Sequence, residues 1–291
     1  MKCLFLYTTF ILSLLLFSCS KTEFPQNTPQ LVIDGYIDDG GFPVVMVTTS
    51  VAVSTESQEF SNLADHLLRW ATVSINNGES EVFLTGKIDK EFFPPFIYTT
   101  SRMRGEAGRT YILKVEYENF IATATTTIPE KPQLDSIKVM PTDTDSLCRV
   151  SLCFTDDPNS KDYYKIFVRK GSHSKQWLSS YLGIVNDDIL NGNSEIDVNQ
   201  GQILTDTLDF TPFFSYNDSI TIKFAKIDES SYSYWNDYEN YTSFSRNPLF
   251  PISQNLHSNI SGGLGCWYGC GATISYLILR DYAPANQMSA P

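Results

Sequence analysis

Ala71-Thr72-Val73-Ser74-Ile75-Asn76-Asn77-Gly78-Glu79-Ser80-Glu81-Val82-Phe83-Leu84 decides the fold class. Ala71, Val73 and Ile75 alternate with polar residues, Asn76-Asn77-Gly78 supplies an Asn-Gly turn, and Val82 and Leu84 return on the matching face. Period-two alternation across such a turn is the strongest local signal for a β-hairpin. Working outward, Leu31-Val32-Ile33-Asp34-Gly35-Tyr36-Ile37 reads as a strand ending in the turn Asp38-Asp39-Gly40-Gly41, followed by a β-branched run from Val44 to Val53. Tyr111 to Tyr117 and Ile121 to Ile128 complete a set of short strands spaced by turns. That pattern predicts an immunoglobulin-like β-sandwich over residues 30–129. Only residues 61–70 in this half suggest a short helix.

Pro129-Glu130-Lys131-Pro132 interrupts the alternation, since proline lacks an N–H and steers its predecessor away from helix, and a domain boundary is placed there. The expectation is a mainly β chain in which the sandwich is followed, over 133–283, by a second β-rich domain with one short helix, and by a tail at 284–291. Strands are expected at Ser136–Met140, Cys148–Phe154, Tyr163–Arg169, Gln202–Thr207, Ser219–Ile227 and Thr273–Leu279, the last apolar on both faces and so read as central. Trp177 to Gly201 reads as a polar excursion over the surface. The helix should begin at Asp228, a good N-cap with Glu229 in the first turn, and end near Asn247-Pro248. Its stripe of Tyr234, Tyr238, Tyr241 and Thr242, with Trp235 alongside, is expected to face the core.

The chain has 291 residues with 21 Lys+Arg against 33 Asp+Glu, a net charge of −12. Such a balance lacks the cationic face that binds phosphate backbones, which argues against nucleic-acid binding. A hydrophobic content of 42% is enough to build cores, so the chain is not expected to be disordered.

At the amino terminus Met1-Lys2 is a short basic start and Leu4–Phe17 a mostly apolar run, too short to cross a bilayer. Leu16-Phe17-Ser18-Cys19 then reads as a lipobox: residues 1–18 form a signal peptide and the Cys19 thiol carries the lipid. Several acyl chains together give near-permanent attachment. Loss of Lys2 deepens the charge from −12 to −13, so an acidic body gains nothing from anionic headgroups and the lipid alone anchors it. Residues 19–29 form a polar tether, and ten such residues reach at most roughly 35 Å.

Chemical motifs are sparse. Cys148 should lie in the core and Cys153 should face outward, too far apart along one strand to pair. Cys266-Trp267-Tyr268-Gly269-Cys270 would form a disulfide if Gly269 let the segment curl; otherwise both thiols stay free. The run Ser261-Gly262-Gly263-Leu264-Gly265 lacks the Lys-Ser/Thr ending of a phosphate loop and reads as a tight bend. Asp187-Asp188, Asn191-Gly192-Asn193, Glu195 and Asp197 fail the EF-hand spacing, which leaves either solvated turn residues or a calcium site of another kind. None of the Gly-x-Ser-x-Gly, His-Glu-x-x-His or Ser-x-x-Lys signatures occurs, and His66 and His173 have no catalytic context. No catalytic residue, resident metal or cofactor besides the Cys19 lipid is therefore expected, and the chain is not expected to be an enzyme.

The lipobox, Leu31-Val32-Ile33-Asp34-Gly35, Gly108 through Tyr111 to Thr127-Ile128-Pro129, and Phe154-Thr155-Asp156-Asp157 with Tyr163-Tyr164 together resemble one family. The most specific likeness is Asn247-Pro248-Leu249-Phe250 with Ser258-Asn259-Ile260-Ser261-Gly262-Gly263-Leu264-Gly265. These features resemble the Bacteroidota lipoproteins grouped as "domain of unknown function 4249"; the sequence departs from them at Cys266–Cys270, where a simpler aromatic-rich strand is usual. The resemblance implies an outer-membrane lipoprotein, frequently encoded beside SusC-like TonB-dependent transporters, and brings no catalytic residues. Lys21-Thr22-Glu23 is similar to the charged signal that exports such proteins to the cell surface, with the periplasmic face as the alternative. The expected function is an accessory binding module of a TonB-dependent nutrient transporter, its ligand not legible. The alternatives are a structural or adhesive envelope lipoprotein without small ligand, and, behind both, a glycan- or peptide-cleaving hydrolase. Mass spectrometry of the protein from its native host is expected to find acyl groups on Cys19; an unmodified Cys19 would remove the membrane assignment.

Overall fold

A computed structural model describes residues 29–50, 66–171, 175–190, 192–201, 210–244 and 256–284. The signal peptide, Cys19, nearly all of the tether, His173, Asn191, the strand expected at Gln202–Thr207, Asn247-Pro248 and all but the first residue of the tail lie outside them.

The hairpin forms as its sequence requires. β1 (Leu31–Asp38) and β2 (Val44–Thr49) precede β3 (Thr72–Asn76) and β4 (Glu81–Phe83). Ile75 pairs with Val82, and Asn77 Oδ1 accepts the Ser80 N–H at 2.9 Å across a turn whose Gly78 has φ +88°. A left-handed φ costs glycine nothing because it has no Cβ. β5 (Thr85–Ile88) and β6 (Phe96–Thr99) extend the β1–β2 side, while β7 (Thr110–Tyr117) and β8 (Phe120–Thr127) complete a four-stranded sheet, β4-β3-β7-β8. Alternate residues of both layers meet in one core: Leu31, Ile33 and Ile37 of β1 against Val73, Ile75, Tyr111, Leu113 and Val115.

The second half repeats the two-layer plan. β9 (Leu134–Pro141), β10 (Leu147–Thr155), β13 (Asn193–Val198) and β14 (Phe214–Ser215) form another four-stranded sheet. It packs on β11 (Tyr163–Lys170) and β15 (Ser219–Ile227), with Val150, Leu152 and Phe154 against Tyr164, Ile166, Ile222 and Phe224. The mainly β class follows from the alternation. Cys148 is buried with the β10 core residues and Cys153 faces the other way, as the period of two requires.

β16 (Gly263–Ile278) joins the halves. Gly263–Cys270 run parallel to β1, then Gly271–Ile278 run antiparallel to β15. With β12 (Leu178–Asn186), this makes an eight-stranded sheet ordered β12-β11-β15-β16-β1-β2-β6-β5. Thus Ile260 and Trp267, from beyond the expected boundary at 129–132, belong to the first core. Trp267 is fully buried opposite Gly35; a Cβ added at Gly35 would lie 2.9 Å from its ring. Its indole N–H donates to Tyr111 O at 3.2 Å, and Asn259 brackets its backbone with two hydrogen bonds of 2.9 and 2.7 Å.

Several expectations are corrected. The glycine-rich stretch turns at Ser261-Gly262 and then pairs as strand from Gly263 onward, with one further left-handed residue at Gly265 (φ +104°), where a Cβ would meet Ile33 O. Cys266 and Cys270 are therefore four extended residues apart, about 13 Å, and both thiols are free. A bridge would require breaking the pairing with β1. Trp177–Gly201 is not a surface excursion: it contains β12, a short 3-10 turn at Asp187–Ile189 and β13. The 61–70 helix does not extend through its described part, where Leu67 bridges Thr48 and the Leu68 N–H donates to Val47 O at 3.0 Å. Thr273–Leu279 alternates instead: Leu277 and Leu279 enter the second core, while Ile274, Tyr276 and Ile278 on the other face stay about half exposed.

α1 (Glu229–Phe244) starts at Asp228, whose Oδ1 accepts the Ser231 N–H at 2.8 Å as an N-cap should. The buried positions are Ser231, Glu239 and Thr242, with Trp235 packed inward, whereas Tyr241 is 42% exposed. Of the expected stripe, Tyr234, Trp235 and Thr242 pack inward and Tyr241 does not, while Glu239 joins the buried face as an ion-pair partner to the sheet. No helix among the described residues is long and apolar enough to cross a membrane.

Trp267→Ala is expected to cost about 3–5 kcal/mol by removing the largest side chain in the first core, and Gly35→Ala about 1–3 kcal/mol by pushing the same ring aside. Denaturant unfolding of the two variants checks both values; a Gly35→Ala protein as stable as the parent would refute the close-packing account.

Candidate functional site

The eight-stranded sheet has a second face, turned away from both cores. Onto it β1 directs Asp34, Tyr36 and Asp38, β16 directs Cys266, Tyr268 and Cys270, and β11 and β15 direct Lys165, Phe167 and Lys223. α1 lies across this face. The rings form one connected cluster: Tyr268 stands 5.9 Å from Tyr36, 6.0 Å from Phe167 in stacked geometry and 5.6 Å from Trp235 edge-on. Trp235 meets Tyr234 and Tyr238 edge-on, each at 5.4 Å.

Two ammonium groups are buried in this aromatic layer, each with its own carboxylate. Lys165, wholly buried, donates to Glu239 Oε1 at 2.6 Å, and burial pulls its pKa below the usual lysine range despite that partner. A bulge in β12 turns the Gly183 N–H toward the same oxygen at 3.0 Å. Lys223 reaches both Asp38 oxygens at 2.7 and 2.9 Å, with the Tyr36, Phe167 and Trp177 rings 4.9–5.3 Å away. Trp177 is held against Arg169, whose guanidinium lies 4.4 Å from its ring. The adjoining Gln176 exchanges two hydrogen bonds with the Phe93 backbone, at 3.0 and 3.3 Å.

Asp34 is the exception. No described residue pairs with it. Its cross-strand neighbours on β16 and β2, Cys266 and Met46, are both buried, the latter under Phe92, while Asp34 itself remains exposed. Asp34 is thus an exposed carboxylate between two covered cross-strand neighbours. The mass of protein around it raises its pKa from 3.8 to about 6. Burial, and next the Asp34 carboxylate, pushes the phenols of Tyr234, Tyr238 and Tyr268 upward; for Tyr36, burial and Asp38 come first. A perturbed acid beside a cluster of aromatic side chains is a physical mark of a candidate binding or reactive site.

A second cluster lies at the end of β11. Oxygens of Asp156, Asp162 and Asp187 lie within 4.8 Å of one another. Tyr164 donates to Asp156, Lys226 to Asp162, and the Asp162 N–H to Asp187. Asp187 Oδ1 is buried without a partner, and burial raises the pKa of that carboxyl. Hard oxygen donors of this kind suit a divalent cation such as calcium. Of the acid-rich stretch read as a calcium candidate, only Asp187 arrives here: Glu195 pairs with Lys138 at 2.5 Å and Asp197 accepts from Ser151 at 3.0 Å. His66 contacts Thr49 at 3.3 Å, and His257 pairs with Asp237 at 2.6 Å. Sequence reasoning left Asp34 unassigned, since only its place in an alternating strand was visible.

Residues 20–274 match the family model described as "Domain of unknown function (DUF4249)". No curated protein matches the chain.

Because Asp34 titrates higher in the folded chain than in the unfolded one, its protonated form favours folding below pH 4 or so, and that advantage is lost as pH rises through about 6. Asp34→Asn is therefore expected to raise the melting temperature near pH 8 and to leave it nearly unchanged near pH 4. Thermal melts at the two pH values check this; an Asn variant that is less stable near pH 8 would contradict it.

Proposed function

The chain belongs to the DUF4249 family, and from that premise we propose that it is a lipid-anchored outer-membrane protein, displayed on the cell surface, that captures a nutrient for a SusC-like TonB-dependent transporter. The observation that carries this reading is the exposed Asp34 carboxylate on the helix side of the shared sheet, on the same strand face as the connected ring cluster of Tyr36, Tyr268 and Trp235. Rings of this kind offer flat contact area at low entropic cost, and one carboxylate supplies a polar anchor. Noncovalent capture needs no more than this. Hydrolysis by the two-carboxylate route needs a second acid facing the first across about 5–10 Å. The nearest one on the same strand face, Asp38, is already held by Lys223.

The anchor supports the same reading. A tether of about ten residues keeps the first sandwich within roughly 35 Å of the bilayer, where it could meet a barrel in the same membrane. The acidic cluster at Asp156, Asp162 and Asp187 would serve as a calcium-binding brace at the end of β11 rather than as a reaction centre.

A tagged full chain extracted in mild detergent from the native host is expected to bring a TonB-dependent barrel with it. Recovery of the chain alone, from membranes in which that barrel is abundant, would overturn the transporter assignment.

A further inference from the structure

We propose that the end of the first sandwich at which the tether enters is a membrane-contacting surface, with Trp70, Phe120 and Ile121 seated at the boundary between lipid headgroups and acyl chains. This goes beyond the capture reading and rests only on its lipid anchor at Cys19. The strand registers bring the three residues to one end of the molecule. The chain enters β1 at Gln30-Leu31, where Leu31 pairs with Thr49, the last residue of β2, and with Gly263, the first of β16. Beside Gly263, a Cβ added at Gly262 would come within 2.3 Å of Ile121 O. Ser261 and Thr123 exchange two backbone hydrogen bonds there, at 2.8 and 2.9 Å. The start of β8 is thus packed against the point where the tether arrives. Across the same sheet Ile121 pairs with Glu116, and Glu116 with Thr72, the first residue of β3. Trp70 stands two residues before Thr72, and Phe120 pairs with Tyr117 at the β7–β8 turn. Leu67 and Leu68, just ahead of Trp70, are held by Thr48 and Val47 near the end of β2.

The side chains at this end are apolar and open to solvent. Trp70 is 89% exposed, more than any other large hydrophobic among the described residues, and Ile121 and Phe120 are 56% and 41% exposed. Large apolar groups gathered at one exposed spot mark an interaction surface rather than a packing surface. Arg69, also exposed, adjoins Trp70, while Glu116 is paired with Lys114 at 2.7 Å. An indole, a phenyl ring and a branched aliphatic chain beside a guanidinium suit the edge of a bilayer. The rings occupy the interfacial zone, and the long cationic side chain keeps its head among water and phosphates.

The occupant follows from where the lipid is attached. About ten residues link Cys19 to β1, a reach of at most roughly 35 Å, so acyl chains on Cys19 hold this end of the sandwich beside the bilayer. The net charge of −12 gives the body no attraction to anionic headgroups. Contact here is therefore made through apolar area, and it sets the orientation of the sandwich, which a tether alone leaves free.

The test uses the full chain, purified in detergent from the native host and reconstituted into vesicles of phosphatidylcholine, plain or brominated on its acyl chains. Trp70→Phe, compared with the parent, isolates the emission of Trp70 from that of the other tryptophans. Brominated lipid is expected to lower that emission at least about twofold, as for a ring at the headgroup boundary. Joint Phe120→Ser and Ile121→Ser substitution should restore most of it. The parent in plain and brominated vesicles is its own control, so the first reading needs no variant other than Trp70→Phe at a fully solvated position. Unquenched Trp70 in a chain that floats with the vesicles would overturn the proposal and leave the anchor in place. A blue shift of Trp70 without quenching, the sign of cover by a protein, would overturn it as well. A chain that neither floats nor shows quenching would remove the anchor and the proposal together. Quenching in a chain that never recovers a barrel would support the membrane contact and cost only the transporter assignment.

Discussion

The change of partner within β16 at Cys270-Gly271 is the constraint on which the rest of the molecule depends. A single strand pairs with β1 beside the first core and then with β15 beside the second. The passage is narrow: a Cβ at Gly271 would come within 2.0 Å of Pro129 O. Along the same strand Trp267 fills the first core and Leu277 contributes to the second. Neither core is complete without residues from the last thirty of the described chain. The Gly269 N–H also donates to Thr126 Oγ1, which in turn donates to Asp228 at the start of α1, so the strand helps fix the helix as well. Strand handover and helix placement are thus one arrangement.

That arrangement forces charge into an aromatic layer. Fully buried ammonium groups carry a desolvation penalty that only close, well-aligned partners offset, and removing one partner of such a pair costs about 3–5 kcal/mol. Lys165 meets this condition through Glu239, with the Gly183 N–H satisfying the same carboxylate from β12. Lys223 meets it through Asp38. Glu239 explains why the buried stripe of α1 is polar at its centre: the helix is attached to the sheet by an ion pair as well as by Trp235. Other polar atoms of this layer stay without partners, among them the Arg169 Nε and the Trp235 Nε1.

Much of this was legible in the sequence, and what was missed has a common cause. The Asn-Gly hairpin at 71–84 and the Asp228 N-cap are local signals, decided within a few residues, and both appear where expected. β12 escaped notice because Leu182, Gly183 and the neighbouring serines form a bulge that breaks the period of two, with Leu182 at φ +53°. The Cys266–Cys270 curl was a fair reading of a glycine-rich pentapeptide, but β1 lies more than 200 residues upstream and its pairing keeps the segment straight. The site was invisible for the same reason. Asp34 shows as a polar residue in an apolar alternation, which ordinarily means an exposed position on a one-sided strand. Its tyrosine neighbours arrive from α1 and β16, through a register that no local pattern encodes.

An acid retained where it does not help the fold needs a reason outside folding. At neutral pH Asp34 is ionised in surroundings that disfavour its charge, so asparagine would serve the strand better. The neighbours are not neutral bystanders: Tyr234, Tyr238 and Tyr268 are themselves made harder to ionise by its field. The position of α1 over this face is fixed by the Lys165–Glu239 ion pair and, at its start, by the hydrogen bond from Thr126 to Asp228.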